Sequence, residues 1–221
     1  GFSIVSYTGD GNDNAKFFHG LTRAPELVIL KDRDNDSTNW RVGVTALDSS
    51  YDQVLNLNLS NQAASASTIF SAVAPTSNVI NLGTETDANG SGRKFICYCF
   101  ASRDGYSKIG KYDDNVIGSD YENTSPFVYT GFRPAWLMIK GTSAGRDWVI
   151  YDNKRTPDDG VYLRANESGT EQTDATNHDI SFLSNGFKIR GGSGDINTTA
   201  ESYIYMAFAD QPFKFANGGT E

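Results

Sequence analysis

The chain repeats itself. Pro25-Glu26-Leu27-Val28-Ile29-Leu30-Lys31, Trp40-Arg41-Val42 and Phe95-Ile96-Cys97-Tyr98-Cys99-Phe100-Ala101 return as Pro134-Ala135-Trp136-Leu137-Met138-Ile139-Lys140, Trp148-Val149-Ile150 and Tyr203-Ile204-Tyr205-Met206-Ala207-Phe208-Ala209. The offset barely drifts: 134 − 25 = 109, 148 − 40 = 108 and 209 − 101 = 108. Repetition at this spacing implies one scaffold built twice, so a residue found in a single copy is not required by that scaffold. The copies cover residues 1–103 and 104–216, with a polar tail at 217–221. Residues 101–106 pass from strand to strand without a Pro- or Ser-rich linker, and so short a junction predicts close packing of the copies.

The apolar runs are short and punctuated by Gly, Asn and Asp, which tolerate positive φ and bond their own backbone. Strands are expected at both ends of each copy and near 54–59, 79–82, 161–164, 180–183 and 187–190. Phe187-Lys188-Ile189-Arg190 alternates as a half-buried strand does. The closing runs, 95–101 and 203–209, are apolar on both faces and belong in the middle of a sheet. The small-residue stretch 63–67 reads as a loop. The expected fold is all-β: two tandem, homologous, β-sandwich-like repeats packed together, or alternatively one pseudo-symmetric sandwich to which both contribute.

Net charge is −8, and Lys and Arg are scattered, so the basic stripe that phosphate binding needs is missing. Nucleic acid is therefore excluded as a partner. No apolar stretch reaches the roughly 20 residues of a membrane helix, and membrane insertion is not expected. The chain opens on Gly1 rather than Met, which reads as a processed form or as part of something longer. Cys97 and Cys99 would share one face of a strand, where a disulfide is badly strained. They read as buried free thiols, with metal or redox chemistry as the alternative.

Several residues carry chemistry worth testing. Asp32, Asp34 and Asp36 have the alternating spacing of a calcium loop, but the rest of an EF-hand is missing. A solvated acidic turn, a calcium site and a catalytic carboxylate pair all fit. His19 and His178 stand at non-equivalent places, and no nucleophile elbow, phosphate loop or H-E-x-x-H appears. Trp40 and Trp148 match between copies and should be core, and Trp136 should be largely buried. The unmatched turn aromatics Tyr51, Tyr121 and Tyr129 are the better candidates for an exposed ring that stacks on a sugar.

The segments Gly1 to Gly9, His19-Gly20-Leu21, Gly105-Tyr106-Ser107-Lys108, Phe127 to Ala135 and Phe182 to Lys188 resemble repeat modules of bacteriophage tail-fibre and virion surface proteins. The resemblance covers nearly the whole chain. It implies a non-enzymatic protein of the virion surface, on a tail fibre or the capsid exterior, assembled in the host cytoplasm. Its expected partners are other virion proteins and a glycan or protein receptor of the bacterial envelope, with homo-oligomerisation, trimeric for a fibre. Capsid decoration is the alternative, and a glycan-cleaving enzyme, which needs paired carboxylates in a cleft, is a third reading.

Overall fold

The computed structural model describes residues 1–115, 121–143 and 145–211, with the backbone alone at 122 and 123. The tail at 217–221 and the end of the second repeat from 212 lie outside the described residues. The chain divides into two compact units, Gly1–Ala101 and Ser102–Glu221.

The first unit runs β1 (Phe2–Thr8), β2 (Ala15–Phe18), β3 (Leu27–Asp32), β4 (Arg41–Val44), β5 (Gln53–Asn56), β6 (Ala64–Ser65), α1 (Ser67–Phe70), β7 (Val79–Leu82), α2 (Thr86–Asn89) and β8 (Lys94–Phe100). Six strands pair in the order β1-β8-β3-β4-β5-β6, and β2 pairs with β7. The second unit runs β9 (Ser107–Asp113), α3 (Tyr121–Thr124), β10 (Phe127–Tyr129), β11 (Pro134–Gly141), β12 (Trp148–Asp152), a 3-10 turn (Pro157–Asp159), β13 (Val161–Arg164), β14 (Gln172–Thr173), β15 (Ile180–Leu183), β16 (Gly186–Ile189) and β17 (Ser202–Ala209). Its large sheet reads β9-β17-β11-β12-β13-β14, and β10-β16-β15 make a second, smaller sheet. Strand for strand, the two six-stranded orders coincide. All pairings are antiparallel, and β8 and β17 each lie between two partners, as their apolar sequences require.

Each unit closes a core of its own between its large and small sheets. In the first, Phe17 of β2 and Ile80 and Leu82 of β7 meet Val28, Leu30, Phe95, Cys97 and Cys99. Stacked rings tie the layers: Tyr7 lies 4.4 Å from Phe17 and 5.1 Å from Phe95 between centroids. In the second, Val128, Phe182, Phe187 and Ile189 meet Leu137, Ile139, Tyr203 and Tyr205, and Tyr112 stacks on Tyr203 at 5.0 Å. Cys97 and Cys99 are free and buried, and burial pushes the Cys97 thiol up.

Polar struts recur with the strands. The Trp40 amide donates to Asn58 Oδ1 at 2.9 Å, and the Trp148 amide donates to Asn166 Oδ1 at 2.8 Å. The Tyr7 hydroxyl donates to the Ala88 carbonyl at 2.6 Å, and the Tyr112 hydroxyl to the Ile196 carbonyl at 2.7 Å. Asn89 and Asn197 donate to the carbonyls of Gly83 and Gly191. The offset 166 − 58 = 197 − 89 = 108 was the available signal for these asparagines, which hydrophobic patterning alone passes over.

Three expectations change. Trp148 is buried, but Trp40 and Trp136 are only half-buried. Trp40 lies beside Tyr98, with centroids 6.4 Å apart, and Trp136 lies beside Phe208 at 5.7 Å. The stretch 63–67 contains a short strand and leads into α1 rather than forming a plain loop. The strand expected at 54–59 ends at Asn56, because Asn58 leaves the ladder to hold the Trp40 amide.

Candidate binding surface on the second unit

The three candidate tyrosines have three different fates. Tyr51 is fully buried; its hydroxyl donates to the Pro25 carbonyl at 3.2 Å and its ring meets Phe70 edge-on. It cannot serve as an exposed platform, because Gly43 leaves a ring-sized gap that Tyr51 fills. Tyr121 is half-buried, its ring laid across Gly192 so closely that no Cβ fits there. Tyr129 alone of the three stands out in water, 65 % exposed.

Its position follows from the strand. In β10, alternation sends Val128 into the core and turns Phe127 and Tyr129 outward. Opposite Tyr129 in the ladder is Gly186, and a Cβ at Gly186 would meet the Val128 carbonyl at 2.1 Å and the Phe127 ring at 2.9 Å. Beyond Tyr129 the chain is held firmly. The amides of Thr130 and Gly131 both donate to the Asn185 carbonyl, at 3.0 and 3.1 Å, and the Thr130 hydroxyl donates to the Phe132 carbonyl at 2.6 Å. Gly131 takes φ +86°, which an L side chain adopts only under strain. The first unit has a comparable tip: Phe18, 76 % exposed, precedes a buried His19 and Gly20 at φ +74°.

A hollow of about 230 Å³ lies beside Tyr129, with Asp104 and Lys108 in its wall. It shares Gly105 and Gly131 with a hollow of about 440 Å³ that holds Phe132, Arg133 and Asp210. Arg133 also borders a third, of about 270 Å³, with Arg155, Asp159 and Phe182. The Asp210 amide donates to the Arg133 carbonyl at 2.8 Å, and Asn153 donates to the Asp210 carboxylate. Arg155 is engaged by Asp152 and Glu171. The side chains of Asp104, Lys108 and Arg133 make no ion pair among the described residues.

The acidic run does not converge on a metal. Asp32 is buried, ion-paired with Arg93, and its Oδ1 accepts the Asp34 amide at 2.9 Å. Asp34 accepts the Lys94 amide at 2.8 Å, and Asp36 is exposed. The Asp32 and Asp34 carboxylates are thus engaged by Arg93 and by backbone amides, and among the described residues no group of three His, Cys, Asp or Glu side chains is arranged for a metal. Both histidines serve the fold. His19 contacts the Thr76 carbonyl and accepts the Leu21 amide, while His178 stacks on Tyr162 between Asp174 and Asp195.

A family described as a domain of unknown function, DUF7483, matches residues 1–212. The chain belongs to that family. No curated protein and no solved structure matches this DUF7483 chain. No helix among the described residues is long and apolar enough to cross a membrane.

Proposed function

We propose that this DUF7483 chain is a non-enzymatic bacteriophage virion surface protein, tail-fibre-like, that contacts glycan of the bacterial envelope through Tyr129. The observation that carries the reading is a phenol ring kept in water on a strand whose every neighbour is fixed. Phe127 and Tyr129 share the outer face of β10 and are 45 % and 65 % exposed, and two aromatic rings exposed side by side favour a surface that binds. Asp104 and Lys108 beside it can accept from and donate to sugar hydroxyls, while the ring covers an apolar sugar face. Contacts of this size are individually weak, and homo-oligomers, trimeric on a fibre, would multiply them across a particle.

Capsid decoration is the second reading. It draws on Phe2 and Ile4, which are 46 % and 55 % exposed on the edge strand β1 and would suit another virion protein. Retention of the purified protein on immobilised bacterial polysaccharides separates the two. Attachment predicts retention that Tyr129→Ala reduces at least about tenfold with an unchanged unfolding midpoint. Equal retention of the variant defeats the glycan role.

A further inference from the structure

We infer that β1 is a docking edge for a second copy of this chain, joined antiparallel to that copy's β1 across a twofold axis. Backbone alternation locates the free edge. The Ala101 amide donates to the Gly1 carbonyl at 2.7 Å and the Gly9 amide to the Arg93 carbonyl at 2.9 Å, so the odd-numbered residues of β1 hydrogen-bond to β8. The amides and carbonyls of Phe2, Ile4, Ser6 and Thr8 therefore point away from the sheet, and among the described residues no hydrogen bond reaches them. The side chains of the same four residues are exposed.

The second unit guards the matching edge. In the repeat Phe100 corresponds to Phe208, so their partners Phe2 and Ser107 correspond, and Ser6 corresponds to Lys111. The Ser107 amide is taken by the Arg103 carbonyl at 2.9 Å and the Ile109 amide by the Ser102 hydroxyl at 3.0 Å. Exposed Lys111 and Asp113 charge the remainder of β9. Covered groups and edge charges are the usual means of stopping strand addition. β1 has neither, since Phe2-Ser3-Ile4-Val5-Ser6-Tyr7-Thr8 carries no charge. At the opposite margins of the two large sheets, β6 and β14 have two residues each and are too short to template a partner.

The occupant follows from the order of residues in β1. Paired with its own copy about Val5, the strand sets Phe2 against Thr8, Ser3 against Tyr7 and Ile4 against Ser6. Each bulky side chain then faces a smaller one. The same register turns the outward groups of Phe2, Ile4, Ser6 and Thr8 to one another, giving about eight backbone hydrogen bonds across the two copies. One long bare edge per chain closes on a twofold and stops at two copies. The contact is small, so the dimer belongs at the weak end of specific association. It is separate from any threefold axis of a fibre and does not depend on the glycan reading.

Sedimentation of the purified chain from about 50 μM to about 1 mM, in about 0.15 M salt to screen its negative charge, tests this together with residue-resolved amide hydrogen exchange at both ends of the range. A monomer–dimer equilibrium is expected. The amides of Phe2, Ile4, Ser6 and Thr8 should exchange several-fold more slowly at the higher concentration, while those of Ser3, Val5 and Tyr7 stay slow at both. Ser6→Lys gives β1 the residue that β9 carries at the matching place. It should leave the unfolding midpoint unchanged and weaken dimerisation at least about tenfold. A chain that remains monomeric throughout overturns the pairing and leaves the edge to a strand of another protein. A dimer whose outward β1 amides exchange alike at both concentrations, or one that Ser6→Lys leaves intact, overturns it equally.

Discussion

The ring of Tyr51 occupies the space that a side chain on Gly43 would need: a Cβ at Gly43 would come within 2.5 Å of Tyr51 Cδ1 and Cε1 and 3.0 Å of Phe70. The second unit meets the same demand differently. There the matching strand position, 43 + 108 = 151, carries its own buried ring, Tyr151. One gap in the scaffold is thus filled once from a loop and once from the strand.

Gly43→Ala should therefore destabilise the first unit by about 1–3 kcal/mol, the usual cost of overpacking a closed core. Combined with Tyr51→Ala, which removes the obstructing ring, its added cost should largely vanish, since contacting sites are not additive. Urea unfolding of the single and double variants checks this; equal costs of Gly43→Ala in both backgrounds would show that the ring is not the obstacle.

Asp32 is buried and Arg93 is its ion-pair partner, so Asp32→Ala should cost about 2–4 kcal/mol by leaving a guanidinium partly desolvated without its anion. Because these carboxylates are already bonded within the fold, millimolar calcium should leave the wild-type melting temperature where it is. Ligand binding to the folded state raises it by mass action, so a calcium-dependent rise of several degrees would restore the metal reading.

Lys140 is fully buried, with Nζ donating to the Gly141 carbonyl at 2.8 Å. Burial pushes its pKa down to about 8, against the pull of Glu201, Asp195 and Asp147. An unfolded lysine keeps its proton to about 10.4, so between the two values the unfolded chain binds more protons and stability rises with pH. The second unit should gain up to about 3 kcal/mol as pH climbs through that window. Lys140→Met should be more stable than wild type at neutral pH and should lose that rise. Urea midpoints measured across the window, flat for wild type, would refute the shift.

Much of the fold was legible because strand alternation and turn chemistry are local. Phe187-Lys188-Ile189-Arg190 announced its strand, and the closing runs announced central strands because both of their faces are apolar. Tyr129 was legible as an unmatched aromatic near a turn, but so was Tyr51, and nothing local separates a ring folded over a glycine from a ring left in water. The acidic spacing at Asp32, Asp34 and Asp36 looked like a cation loop for a similar reason. Arg93, which takes Asp32, is 93 − 32 = 61 residues away.

By itself the sequence determined the strand-rich class and the return of its apolar runs at a fixed offset, since periodicity and offset are properties of the chain read in order. The tertiary structure alone decided which of the candidate rings faces water and which polar groups share a hollow. Arg133 and Asp210 meet there although 210 − 133 = 77 residues separate them. Burial and pocket chemistry depend on what packs across a face, and that is set by strands distant in the chain.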